Sequence, residues 1–260
     1  MSDTRSQQHE SGPIRRVNLG PIPHYPYCPP RGFPKIIHED EHFVVVDKQS
    51  GILSVPGIDP EKKDCLRSRV EEMFPLATGP MTCHRLDLST SGVMILALDA
   101  NTHRNLSRQF EQRKVNKRYI ALLEGHLDRD GGTINCPLRK DMDVRPLMLV
   151  DYVQGKPSVT HYKVLSREEF DSHPVTRVEF IPYTGRTHQL RVHAAHPKVT
   201  TVGVMGTQDS EETTGLGMPI VGDELYSSNP ESRLMLHAAD LTIYHPITGK
   251  QMTFTAPVPF

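Results

Sequence analysis

In this chain of 260 residues, 37% are hydrophobic and 23% charged, and Lys+Arg 30 against Asp+Glu 31 leaves a formal net charge of -1, which excludes a disordered polyelectrolyte and leaves enough apolar material for a large core. The longest uninterrupted apolar run, 93–98, is too short for a bilayer, and Cys28, Cys65, Cys83 and Cys136 form no C-x-x-C pair, so no zinc knuckle or disulfide framework is signalled. A cytoplasmic globular protein without membrane association is expected, and Pro 22 with Gly 18 predicts many turns rather than a long helical bundle.

Residues 1–34 show no periodic apolar pattern, carry four Arg against one Asp and one Glu, and end in a Pro-rich run over 21–34. They read as an extended, mildly basic arm. The body of the protein, 35–260, then opens with strand signals at 35–38 and 43–47 joined by Glu39-Asp40-Glu41-His42. Asp64 ahead of Leu66, Val70, Met73 and Phe74 predicts a short capped helix, and Asn101-Thr102 ahead of Leu106 and Phe110 predicts another. Further strands are expected at 93–98, 118–123, 159–165, 175–181, 234–243 and 252–256. Strands outnumber helices at irregular spacing, which predicts an α+β fold with a mixed, largely antiparallel sheet.

Three clusters could carry chemistry. In His84-Arg85-Leu86-Asp87-Leu88-Ser89-Thr90-Ser91-Gly92, charged and hydroxyl residues crowd into a loop ahead of an apolar strand, the usual place for a site on a rigid scaffold; the plainer reading has Asp87 capping a turn. In Gly185-Arg186-Thr187-His188-Gln189-Leu190-Arg191-Val192-His193, Thr187 is a candidate helix cap and Arg186 projects from the turn, where the helix dipole disfavours a cation unless it holds an anion; the plainer reading is a solvated arginine. His188, His193 and His196 lack metal-ligand spacing, so no metal is expected. Finally Arg104, Arg108, Arg113, Lys114, Lys117 and Arg118 place six cations within fifteen residues, opposed by Glu111 alone. That is either a solvated helix face or a phosphate-binding ridge, with Tyr119 beside it able to stack on a base.

In this order and spacing the clusters resemble the RluA family of pseudouridine synthases, over about residues 35–260. The motifs that carry the resemblance are Asp47-Lys48-Gln49-Ser50-Gly51 with Leu53-Ser54-Val55-Pro56-Gly57, the Asp87 loop, Lys117-Arg118-Tyr119-Ile120-Ala121 and the Arg186 segment; Pro219-Ile220-Val221-Gly222-Asp223 and Leu234-Met235-Leu236-His237-Ala238 add to it. Gln49 stands where the family usually has proline, and about twenty residues at 198–218 interrupt a normally tight junction. The resemblance implies a pseudouridine synthase fold with flanking short helices and a central cleft, and an essential carboxylate at Asp87. It places an active-site tyrosine at Tyr119, an active-site arginine at Arg186 paired with Asp87, and in Arg85 a residue that helps displace the target base.

The implied activity is the isomerisation of uridines in ribosomal large-subunit RNA, transfer RNA or both, without a cofactor, by a protein expected to be a monomer. A carboxylate suits either covalent attack or abstraction of the C2′ proton to give a glycal. Tyr119 would stack on the extruded uracil and help remove the C5 proton, while His84, Arg85, Arg108, Arg113, Lys114 and Lys117 would bind stem-loop RNA. Two other readings are a noncatalytic RNA-binding module using the same ridge, and a carboxylate-dependent hydrolase of another glycoside. The latter usually needs a second carboxylate that the Asp87 loop does not offer.

Overall fold

The computed structural model describes residues 26–197, 200–201, 212–228 and 233–260, so positions 1–25 of the arm and most of the 198–218 insertion lie outside the described residues. In chain order the strands are β1 (Lys35–Glu39), β2 (Phe43–Lys48), β3 (Ser91–Ala97), β4 (Asn116–Glu124), β5 (Gly131–Asn135), β6 (Leu138–Lys140), β7 (Met148–Val150), β8 (Val159–Phe170), β9 (His173–Pro182), β10 (Thr200–Thr201), β11 (Glu212–Thr213), β12 (Leu236–Tyr244) and β13 (Gln251–Thr255). The helices are α1 (Leu66–Met73), α2 (Ala100–Glu111) and α3 (Gln189–Ala195). Among the described residues one sheet runs β1-β2-β3-β12-β4-β9-β8-β5-β11-β10, with β13 paired to β12, while β6 and β7 form a separate ribbon. Among the described residues only β12/β3 and β11/β5 run parallel. This is the expected α+β architecture with a largely antiparallel sheet.

The uninterrupted apolar runs of β2 and β3 follow from burial on both faces. Phe43, Val45, Val93, Ile95 and Ala97 pack toward Leu106 of α2, with Ile243 and Phe254. Their alternates Val44, Val46, Met94 and Leu96 pack toward Leu66 and Val70 of α1. A third cluster joins β4 and β9 to α3 and to the 220–226 segment through Leu122, Phe180, Leu190, Ile220 and Tyr226.

At the centre, β3 lies against β12 because residue 92 is glycine. Gly92 has φ +115°, and a Cβ there would overlap the Ala238 carbonyl and lie 2.7 Å from its nitrogen. Only glycine admits both the dihedral and the approach, which brings the end of the Asp87 loop onto the middle of the sheet. The β8–β9 hairpin turns on Asp171 and Ser172 at φ 48° and 64°, the paired positive angles of a two-residue turn that matches strand twist.

Three helix starts differ from expectation. In α1 the cap is Cys65, whose Sγ accepts the Ser68 N–H while the Ser68 hydroxyl accepts the Cys65 N–H; Asp64 instead pairs with Arg69 at 2.7 Å. In α2 the Asp99 side chain accepts from both Asn101 and Thr102 backbone N–H groups, starting the helix earlier than Asn101. Thr187 caps nothing, because His188 takes the cap position in left-handed geometry (φ 52°). Gln189 holds this turn: its Oε1 accepts the Arg186 N–H at 3.0 Å and the Thr184 hydroxyl at 2.8 Å, and its Nε2 donates to Val159 O and Thr160 Oγ1.

Candidate active site

A cleft of about 560 Å³ opens between three segments: the loop 83–90, the end of α2 running into β4, and the turn from β9 into α3. Asp87, Tyr119 and Arg186 all line it, as do His84, Arg85, Arg113 and Lys117. The tertiary fold therefore assembles three motifs separated by up to about a hundred residues.

The Asp87 loop is held by its carbonyls. Lys48, fully buried at the end of β2, donates from Nζ to Thr90 O at 2.7 Å, Leu88 O at 3.0 Å and Gln49 O at 3.1 Å. The Ser50 hydroxyl donates to Ser89 O, and the Ser54 hydroxyl donates to Leu86 O at 2.7 Å while accepting the Leu86 N–H at 3.1 Å. The carbonyls on both sides of Asp87 are thus occupied by the 48–54 segment. Its carboxylate accepts no hydrogen bond among the described residues, contrary to the turn-capping reading, and so remains free to meet a substrate. Burial draws the Lys48 ammonium down to about 7, and the Asp87 charge works against that pull.

The arginine expected to pair with Asp87 does not do so. Arg186 lines the cleft with Nε 3.4 Å from Pro157 O, and no Asp87–Arg186 ion pair forms among the described residues. The buried guanidinium whose charge is felt with Asp87 is Arg191, one helical turn and a residue later in the same motif. At 2% exposure Arg191 donates to both oxygens of Asp223, at 2.9 and 2.5 Å, and lies 3.2 Å from Glu224. Glu224 also accepts the Ser89 hydroxyl at 2.8 Å, tying this network to the Asp87 loop. Helix α3 rotates residue 191 inward and leaves 186 on the preceding turn, which is why spacing alone did not separate them.

Tyr119 shares a face of β4 with Lys117, by strand alternation, and both face the cleft. Burial and the Asp87 charge both raise the Tyr119 pKa, so the phenol stays protonated, which suits stacking and donation. His84 lines the cleft yet is built into its wall: Nε2 accepts the Ile95 N–H at 3.1 Å, the ring stacks on Phe110 at 4.5 Å, and burial pushes its pKa down to about 3. It is held as a neutral residue of the cleft wall.

The six-cation run divides among surfaces. Arg104, Arg108 and Lys114 are exposed, whereas Arg113 and Lys117 reach the cleft. Arg118, on the other face of β4, is paired with Glu179 at 2.6 Å and Asp240 at 2.7 Å. Lys117 is pushed down to about 8 by burial. His188 and His193 are engaged separately, with Tyr226 Oη at 2.9 Å and Thr160 Oγ1 at 3.0 Å.

Comparison with known proteins identifies the family. The family model described as RNA pseudouridylate synthase matches residues 42–196. The dual-specificity RNA pseudouridine synthase RluA of Haemophilus influenzae is 42% identical over 240 residues, covering 90% of this chain and 98% of that protein. The protein of the same name from Escherichia coli K12 is 41% identical, covering 86% and 93%. Among solved structures, human RNA pseudouridylate synthase domain containing 1 superposes with a TM-score of 0.67 at 32% identity, over 87% of this chain and 84% of that one. Human domain containing 4 shares the fold, with a TM-score of 0.63 at 24% identity over 86% and 88%. With a family model spanning the cleft and relatives matched over nearly their whole length, this chain belongs to the RluA family of RNA pseudouridine synthases.

Proposed function

We propose that this isomerase uses Asp87 as the carboxylate that converts uridine to pseudouridine in RNA, working on a loop nucleotide extruded into the cleft. The observation that carries the assignment is a carboxylate without a hydrogen-bond donor among the described residues, on a cleft wall whose flanking carbonyls are clamped by Lys48, Ser50 and Ser54. Breaking the N1–C1′ bond by attack on sugar or base, or by C2′ proton abstraction, requires the ionised carboxylate, and the buried Arg191 guanidinium supplies positive charge near it. Tyr119 forms the stacking surface for the turned uracil. Arg85, exposed on the same loop, fills the space that the base leaves.

For the substrate, the dual specificity in the relatives' name is extended to this chain as action on both large-subunit ribosomal RNA and transfer RNA, each presenting an unstacked uridine in a stem-loop. The body from 35 to 260 is taken as the catalytic domain of a cytoplasmic monomer needing no cofactor; no helix among the described residues is long and apolar enough to cross a membrane. The test is product analysis of uridine-containing stem-loop RNA with the wild type and Asp87→Asn. The amide keeps shape but is neither nucleophile nor base, so pseudouridine should vanish while RNA affinity stays within about threefold, or about 0.7 kcal/mol. Substantial turnover by the Asn variant would refute the assignment.

A further inference from the structure

Tyr183 stands at the rim of the cleft, directly after β9, and is open to solvent (55% exposed). Its backbone is fixed, with the N–H donated to Val159 O at 3.1 Å and the next residues locked by Gln189. The ring is covered on one side by the Arg113 guanidinium, whose Cζ lies 4.8 Å from the ring centroid. Arg113 is itself anchored just beyond α2 in left-handed geometry (φ 57°), its N–H donating to Phe110 O at 3.2 Å. It has no carboxylate partner among the described residues. A rigid aromatic plane and an uncommitted guanidinium thus face each other at the mouth of a cleft lined by Arg85, Lys117 and Arg186.

An exposed tyrosine that serves only to complete a core would be covered by apolar side chains, whereas this one is covered by a cation. The ligand that fits a flat ring and several cations together is anionic and planar, which describes a nucleotide better than an apolar peptide. The extruded uridine is not that nucleotide: it must reach Asp87 and Tyr119 inside the cleft, while Tyr183 stays at the rim. We propose that Tyr183 is a stacking platform for the base adjacent to the target uridine, and that Arg113, which covers the ring in the free protein, gives up the ring to that base and takes its phosphate. This inference rests on the RNA pseudouridine synthase reading and adds a position-specific contact to it. It makes Tyr183 a positioning residue that sets which neighbour the target nucleotide tolerates.

The chain contains no tryptophan (Trp 0), so Tyr183→Trp introduces a single fluorescent reporter at the platform. In an Asp87→Asn background, which holds RNA without turning it over, this protein is titrated with a stem-loop whose modified uridine has been mapped with the wild type. Two further stem-loops carry an abasic site immediately 5′ or immediately 3′ of that uridine. Emission should be quenched by the intact RNA and by one abasic RNA but not by the other. Tyr183→Ala should weaken binding of the intact RNA about tenfold, equivalent to about 1.4 kcal/mol, and should leave the affinity for the unquenching abasic RNA within twofold. Tyr183→Phe, which keeps the ring and guards against a folding artefact, should match the wild type. Equal affinities of wild type and Tyr183→Ala for intact RNA, equal losses on intact and abasic RNA, or no quenching would each overturn the platform while pseudouridine formation by the wild type stands. Absence of pseudouridine from the wild type on every RNA would instead overturn the reading beneath it.

Discussion

Ser54→Ala removes one oxygen and disconnects the Asp87 loop from its anchor at Leu86. The Ser54 hydroxyl, 4% exposed, donates to Leu86 O and accepts the Leu86 N–H, and Leu86 is itself 6% exposed. Both Leu86 groups lose their partner, at about 1–3 kcal/mol each when buried, and a water entering the small vacated space recovers part of this. The expected loss is about 2–3 kcal/mol. For a chain of this size that corresponds to a Tm lower by about 4–6 °C. Urea unfolding and calorimetry measure the stability. Single-turnover assays on the same RNA should show the chemical rate falling about tenfold with affinity little changed, because residue 86 sets the position of the carboxylate at 87. A loss below about 0.5 kcal/mol together with a wild-type rate would refute the idea that the 48–54 segment positions Asp87.

Lys48→Met should alter the pH dependence of stability. Burial holds the Lys48 ammonium at about 7 in the fold against 10.5 ordinarily, so above about pH 7 the unfolded chain binds the extra proton and stability rises with pH. Wild type should gain about 1.5 kcal/mol relative to Lys48→Met between about pH 7 and 8.5, below the range in which the raised Cys83 and Cys136 thiols act in the opposite sense; parallel urea-unfolding profiles would contradict this. Arg191→Met leaves Asp223 buried and unpaired and should destabilise by about 3–5 kcal/mol, whereas Arg186→Lys should unfold like the wild type, as thermal melts will show. Replacing Arg108, Arg113 and Lys114 with Ala should reduce the slope of log K against log salt for RNA binding by about 0.7–0.9 for each phosphate that is no longer neutralised. Arg118→Ala, whose guanidinium is already held by Glu179 and Asp240, should leave that slope unchanged in filter binding.

Much of this protein is written locally. The apolar runs at 43–46 and 93–97, the α2 periodicity and the hydroxyl-rich Asp87 loop follow from residue types and their spacing, because strand burial and helix amphipathicity are short-range patterns. The order of the motifs along the chain was enough to place the family. Other features depended on where distant segments meet. Capping of α1 by Cys65 rather than Asp64, and the holding of the turn before α3 by Gln189 rather than Thr187, reflect which side chain reaches the open N–H groups. The exchange of Arg186 for Arg191 as the guanidinium near Asp87 follows from the inward turn of α3 onto Asp223, a residue 32 positions away. Lys117 and Arg118 are adjacent in sequence yet lie on opposite faces of β4, one in the cleft and one in an ion-pair network. Lys48 meets carbonyls some forty residues later, and its pKa is set by the burial that this meeting produces. Charge, burial and hydrogen-bond supply are properties of the space around a group, so the tertiary structure alone decided them, while the sequence determined which groups were there to be brought together.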